Sequence, residues 1–342
     1  MKKQINYPKT QQFRDVVSTI KNQASFMGMD DDGEPIYDPS AKMPTLTFNG
    51  TVKIHGTNSA VCYNNIDGFW IQSRNRIIEP TNDNLGFAFF ANNLKEELTE
   101  MIKMVAIDEE IDLDLATVTV YGEWAGKGIQ KGVGISEIDR AFFIFGVKVS
   151  EINDDEAAYW IDADGLRYEE GRVFNVSDYQ SYTIKIDFND PQAIQNKLIE
   201  ITQEVENQCP ISKALGIDGV GEGVVWSCTY KNAVYRFKVK GEKHSSSKVK
   251  KLASVDTDKL NSINEFVEYA VTESRFNQGI NEVFQESDWD IKKLGEFLKW
   301  MMHDIISEES DTMKDNGLEP KDVSRKVSDK ARGMFFDKYN TV

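Results

Sequence analysis

Cysteine is scarce in this chain, and its few copies are unpatterned. Cys62, Cys209 and Cys228 lie far apart, with no Cys-x-x-Cys pair and no Cys/His ligand spacing. That counts against a disulfide framework or a zinc site and predicts reduced, buried thiols. Long apolar runs are absent too. Nothing approaches the roughly 20 residues that cross a bilayer, and the opening Met1-Lys2-Lys3-Gln4-Ile5-Asn6 has no signal-peptide core. A cytoplasmic protein with no membrane partner is expected. Positive charge is in deficit, with a formal net charge of -16, which argues against an extended phosphate-binding surface. Distribution matters more than the total, because salt screens charges beyond about 8 Å. The stretch Lys231 to Lys251 holds Lys231, Arg236, Lys238, Lys240, Lys243, Lys248, Lys250 and Lys251 against the single acid Glu242. It reads either as a selected basic face or as a solvated strand edge.

At 342 residues the chain has room for two domains, each able to bury a core. A helix is predicted around Phe13 to Ile20. The acidic run Met29 to Pro35 lacks the ligand alternation and terminal Glu of a calcium loop and reads as a solvated turn. Strands are predicted at Pro44 to Gly50 and Ser59 to Tyr63, then a hairpin through Asn64-Asn65-Ile66-Asp67-Gly68 into Phe69 to Ser73. Leu85 to Val105 carries Phe90, Leu94, Leu98, Ile102 and Val105 at helical spacing, with its aromatics assigned to the core. Strands follow at Thr117 to Tyr121 and Phe142 to Val147. Asp190 looks like an N-cap and Pro191 a first helical residue, opening a helix to about Gln208. Two further strands flank a turn at Lys231-Asn232. Beyond about Ser254 the pattern turns helical over Thr257 to Arg275, Asp290 to Ser307 and Pro320 to Tyr339, with Gly279 and Gly317 as breakers. The expected division is residues 1–250 and 256–342, joined by a linker near 245–255.

The chemistry-bearing residues fall in order on or beside these strands. Lys53 stands in Lys53-Ile54-His55-Gly56-Thr57-Asn58 between two strands. A lysine becomes a nucleophile when desolvation or neighbouring cations remove its proton. Lys238 and Lys240, at alternate strand positions, can turn two cations to one phosphate. Gly122 to Gly128 superficially suggests a phosphate-binding P-loop, but its glycine spacing is one residue short and Gly128 replaces the required Ser or Thr. Nor do Gly219, Gly221 and Gly223 open a helix, as a dinucleotide fingerprint must.

Taken together, Lys53-Ile54-His55-Gly56, Tyr121-Gly122-Glu123, Phe142 to Phe145, Glu222-Gly223-Val224-Val225 and Lys238-Val239-Lys240 resemble the ordered motifs of covalent nucleotidyltransferases, the polynucleotide ligases and RNA capping enzymes. His55 with Gly56-Thr57-Asn58 after it, and Glu123-Trp124-Ala125-Gly126-x-Gly128-Ile129-Gln130, are similar to the RNA ligase 2 family of tailed phages and kinetoplastid editing ligases. The resemblance spans roughly residues 45–250. It implies an α+β fold: a nucleotidyltransferase domain of ATP-grasp-like antiparallel sheets with flanking helices, then a small all-helical C-terminal domain. It also implies an ATP-dependent RNA ligase acting in nick or break repair, a tailed-phage source and residence in the host cytoplasm.

By the same resemblance Lys53 attacks the α-phosphate of ATP to give lysyl-AMP, and Lys238 and Lys240 depress its pKa and stabilise the phosphoryl charge. Ile54 and His55 shape the nucleotide pocket. Glu123 accepts from a ribose hydroxyl. Phe145 stacks on adenine, although Phe143 has the same periodicity and stays an alternative. Glu222 helps hold Mg²⁺, or Mn²⁺ in its place. Asn58 and Arg74 engage RNA carrying a 5′-phosphate and a 3′-hydroxyl, with Arg76 a neighbour, while His244 and His303 look incidental. The helical tail orients RNA, so its deletion should spare lysine adenylylation and weaken sealing. A monomer is expected. The alternatives are a DNA or RNA/DNA-hybrid ligase, a GTP-dependent capping enzyme, and a non-catalytic relic that binds nucleotide and nucleic acid.

Overall fold

The computed structural model describes residues 2–30, 32–154, 157–241, 257–284 and 291–339. The strands that carry the motifs form two antiparallel sheets. One has four strands in the order β11-β3-β12-β13, with β3 Thr45–Val52, β11 Ser181–Asp187, β12 Gly223–Tyr230 and β13 Ala233–Lys240. The other has seven: β4 Thr57–Asn64, β5 Gly68–Ser73, β6 Ile77–Ile78, β7 Ala116–Ala125, β8 Ala141–Glu151, β9 Ala158–Ile161 and β10 Val173–Asn175. Its path runs β10-β8-β7-β4-β5-β6, β9 also pairs with β8, and its one parallel pair is β10 with β8. A small hairpin, β1 Phe26–Met29 with β2 Pro35–Tyr37, encloses the acidic turn.

Alternation decides which face of the four-stranded sheet is dry. On β3, Phe48, Gly50 and Val52 are buried while Asn49 and Thr51 face the other way. Helix α1, Phe13–Ser25, lays Val16 and Ile20 on the dry face, where Phe13 meets Phe237 with ring centroids 5.1 Å apart. Pro191 opens a turn of 3₁₀ helix, and Asp190 makes no side-chain cap; the α-helix proper, α4 Gln195–Asn207, follows and buries Leu198, Ile201 and Val205. Short α5, Pro210–Ala214, closes that side. The opposite face of the sheet carries polar and basic side chains toward a cavity.

Against the seven-stranded sheet pack α2 Phe87–Asn93 and α3 Lys95–Asp108. The expected single helix thus breaks at Leu94, whose backbone leaves helical geometry. Phe87 is buried and Phe90 packs against the core, but Phe89 is 62% exposed, so not every aromatic of this segment is core. Four C-terminal helices, α6 Thr257–Ala270, α7 Glu273–Val283, α8 Leu294–Asp315 and α9 Pro320–Tyr339, hold a third core around Phe276, Phe297, Met301, Val327 and Phe335. Two expectations need correction here. The helix predicted to Arg275 ends at Ala270, and Gly279 does not break a helix: it lies inside α7, where a Cβ would meet Trp300 at 2.7 Å and Phe297 at 2.8 Å. Its lack of a side chain lets α8 approach. Gly317, left-handed at φ 63, does follow the end of α8.

Among the described residues no helix is long and apolar enough to cross a membrane. The expected linker, with Lys243, His244, Lys248, Lys250 and Lys251, lies outside the described residues.

Candidate active site

A cavity of about 840 Å³ lies between the polar face of the four-stranded sheet, one end of the seven-stranded sheet and the C-terminal helices. Lys53 enters it because β3 has just ended: its backbone N–H donates to Gly223 O at 2.9 Å, tying it to the start of β12. The preceding residue of β12's entry, Glu222, is thereby brought opposite. Lys53 Nζ donates to Glu222 Oε2 at 2.7 Å and to Ile54 O at 3.4 Å. The same Oε2 lies 3.2 Å from His55 Nδ1, and Oε1 lies 3.2 Å from Lys240 Nζ.

Glu222 is therefore the electrostatic centre of the site, with a side chain only 2% exposed. Burial alone would raise its carboxyl, but Lys53, Lys240 and His55 outweigh burial and hold it well below the usual carboxylate range. Lys240 answers in kind. Burial favours its neutral form, yet Glu222, Glu309 and Tyr269 raise it well above an ordinary lysine. Lys238, two residues earlier on β13 and on the same face, is attracted by Glu308 and Glu309 but more strongly opposed. Burial, Lys240 and Lys53 push it down to about 8. Cation crowding thus shows at Lys238.

Glu123 reaches the cavity from β7, where it pairs in register with Asn58 of β4. Its Oε1 accepts from Gly56 N at 3.2 Å, and burial raises it to about 7 against the attraction of Lys53. Only glycine fits at position 56: a Cβ there would stand 2.3 Å from Trp124 O and 2.9 Å from Glu123 Cγ. Phe145 and Phe143, equivalent by periodicity, are separated by a β-bulge. The β7–β8 register passes from Tyr121–Gly146 to Gly122–Ile144, leaving Phe145 as the extra residue. Phe145 lines the cavity, whereas Phe143 is fully buried in the core.

Asn58, Arg74 and Ile54 also line the cavity, whereas Arg76 is not among its lining residues. Arg74 is ion-paired with Glu308 of α8 and Arg76 with Glu282 of α7. His303 is exposed on α8, away from the cavity lining. Among the described residues no group of three or more His, Cys, Asp or Glu is arranged to hold a metal ion. The carboxylate beside Lys53 is Glu222, an oxygen donor that fits an ion held mainly through water and phosphate oxygens.

Two sets of lining residues escaped the sequence reading. An N-terminal strap, residues 4–11, crosses between the sheets: Tyr121 Oη donates to Ile5 O at 2.7 Å, and Lys238 N donates to Gln11 O at 3.2 Å. It sets Tyr7 edge-on to Phe145 at 5.1 Å, beside Arg236, whose guanidinium stacks 4.0 Å from the Trp160 ring. The helical tail supplies Tyr269, Arg275, Gln278, Glu308 and Glu309. A lone tyrosine near one end and acids more than two hundred positions from Arg74 carry no local motif.

A family model described as RNA ligase matches residues 47–240, more than half of the chain. The chain belongs to the RNA ligase family. The matched segment begins within β3 and ends on Lys240, so it contains Lys53, Glu123, Phe145, Glu222 and Lys238. Among solved structures the chain is similar to a variant of Naegleria gruberi RNA ligase with ATP and Mn, at 14% identity and a TM-score of 0.43. It is also similar to Naegleria gruberi RNA ligase with PPi, at 16% identity and a TM-score of 0.40. Each match covers 70% of this chain and 57% of the other. The chain therefore spans little more than half the length of the solved family members it matches. No curated protein matches the sequence.

Proposed function

We propose that this RNA ligase family member is an ATP-dependent RNA ligase that works through a lysyl-AMP on Lys53. The observation that carries the reading is the meeting of Lys53, Glu222, Lys238, Lys240, Glu123 and Phe145 on one cavity. They come from five strands or strand ends, Lys238 and Lys240 sharing β13, and the core packing does not call for the four charged groups Lys53, Glu123, Lys238 and Lys240 there.

Lys53 leaves its ion pair with Glu222, sheds its proton to water and attacks the α-phosphorus of ATP. The Nζ–phosphorus bond forms as the bond to the bridging oxygen breaks, and pyrophosphate departs. Lys238 and Lys240 face the phosphates from β13 and stabilise the charge that grows on their oxygens. Phe145 offers an open ring to adenine, and Glu123, when ionised, an acceptor to the ribose. Glu222, with the phosphates, would hold a divalent ion, Mg²⁺ or Mn²⁺, whose positive charge neutralises the triphosphate. An RNA 5′-phosphate oxygen then displaces Lys53 from the adenylate, and a 3′-hydroxyl attacks the activated end and expels AMP.

Asn58 and Arg74 lie on the cavity rim where the RNA end would be met. The run Lys53 to Asn58 with Glu123 to Gly126 supports the RNA ligase 2 branch, and with that branch we propose a tailed-phage source, a repair role in the host cytoplasm and action as a monomer. The separate core of α6–α9 supports a division into residues 1–250 and 256–342, the second unit orienting RNA.

The test is joining of a nicked RNA duplex with a labelled 5′-phosphate, given ATP or GTP, beside nicked DNA and hybrid duplexes. ATP-dependent sealing of the RNA nick supports the reading. Sealing of DNA alone moves the assignment to a DNA ligase, and nucleotide transfer from GTP alone moves it to capping chemistry.

A further inference from the structure

The helical tail reaches back onto the cavity through its acids, and one of them, Glu308, sits on Arg74, the cation that the ligase reading offers to RNA. Arg74 pairs with Glu308 of α8, and Arg76 pairs with Glu282 of α7, whose carboxylate also lies 3.5 Å from Ser73 Oγ. Both arginines are partly buried by the contact, with side chains 26% and 19% exposed. Further hydrogen bonds hold the same arrangement along the cavity: Gln278 Nε2 donates to Thr57 Oγ1 at 3.3 Å, and Lys240 Nζ to Tyr269 Oη at 3.3 Å. Glu309, beside Glu308, adds a charge that Lys240, Arg275 and Lys238 keep ionised against burial, at about 2.

A guanidinium recognises a carboxylate and a phosphate alike, by N–H donors aimed at anionic oxygens. The carboxylate on Arg74, that of Glu308, lies on the cavity, which both residues line, and so occupies a place a backbone phosphate could take. We infer that the tail masks the RNA-end site of the free protein, with Glu308 standing in for a phosphate that RNA must displace and Glu282 on Arg76 helping to hold the tail in place. This rests on the ligase reading for its choice of ligand. In a chain of net charge -16 the device has a clear physical use. A single small anion competes weakly with a carboxylate fixed on its arginine, whereas a polynucleotide presents several phosphates at once. The tail released by this exchange is then free to lie against the bound RNA.

Glu308→Gln and the double variant Glu282→Gln/Glu308→Gln of the full chain test the mask. Both swaps are isosteric, and Arg76 keeps its bonds to Asn82 O at 2.9 Å and Asp83 O at 3.1 Å. The control Glu268→Gln/Glu319→Gln removes the same charge from pairs with Lys330 and Lys321 away from the cavity. Binding of a 5′-phosphorylated nicked RNA duplex is followed by fluorescence anisotropy, and Lys53 adenylylation by intact mass on the same preparations. The rim double variant should bind at least about twofold tighter than wild type, the lower bound set by partly exposed ion pairs, with the control unchanged. Unchanged or weaker binding in the rim variant, or an equal gain in the control, overturns the mask. Loss of the adduct in wild type sinks the ligase reading instead, while the binding comparison still decides the mask.

Discussion

Replacing Glu222 by Gln keeps the shape of the site and removes the charge on which it is balanced. Glu222 faces Lys53 at 2.7 Å and Lys240 at 3.2 Å, so the variant leaves Lys53, Lys238 and Lys240 crowded with no carboxylate at their centre. Breaking a buried pair in this way costs about 3–5 kcal/mol when both partners are dry. Lys53 and Lys240 retain 21% and 19% side-chain exposure, and water entering there relieves part of the penalty. The expected loss of folding stability is therefore about 2–4 kcal/mol at pH 7, read from urea unfolding through tryptophan fluorescence. The folded-state carboxyl lies below its unfolded value of about 4.3, so its contribution is complete above that pH and fades as pH falls through the folded-state value. Lys240 behaves in the opposite sense, its contribution persisting up to about 10.4 and disappearing only above that. The gap between wild type and variant should thus be flat around neutrality and narrow below about pH 4. A double-mutant cycle with Lys53→Met should show coupling of about 1–3 kcal/mol. A stability loss below about 0.5 kcal/mol, or strict additivity with Lys53→Met, would refute the electrostatic reasoning.

Two further outcomes follow from the same geometry. Phe143→Ala should cost about 3–5 kcal/mol of stability as a core cavity, whereas Phe145→Ala should cost less and instead raise the KM for ATP in the adenylylation assay; the reverse pattern would reassign the stacking ring. Apparent affinity for ATP should peak between about 7 and about 8, because Glu123 accepts only when ionised and Lys238 holds phosphate only when protonated. Glu123→Gln should flatten the acid limb of the KM profile and Lys238→Arg, always charged, the alkaline one; limbs that persist in both variants would assign the titrations elsewhere.

The strand-borne part of the site was legible in the sequence because alternation and motif spacing act locally. Lys238 and Lys240 share a face by the pleat alone, and Lys53, Glu123 and Glu222 each stand at a strand or strand edge as expected. What was not legible depended on departures from regularity or on distance. Periodicity left Phe143 and Phe145 equivalent, and a one-residue bulge opposite Tyr121 and Gly122 separates them. Gly279 reads as a breaker by propensity, yet close approach of α8 is what requires it. The apolar spacing from Phe90 to Val105 continues straight through the break at Leu94, since the two short helices present their apolar residues to the same sheet. Tyr7 and Glu308 reach the cavity through tertiary contacts that no short window encodes.

The most direct test is the intact mass of the purified protein after ATP and Mg²⁺, beside Lys53→Ala, with prior adenylylation removed by pyrophosphate. A gain of one AMP that depends on Lys53, and that is discharged when a 5′-phosphorylated nicked RNA duplex is added and sealed, is the expected result. A folded protein that takes up no AMP, or takes it up equally well without Lys53, contradicts the central claim.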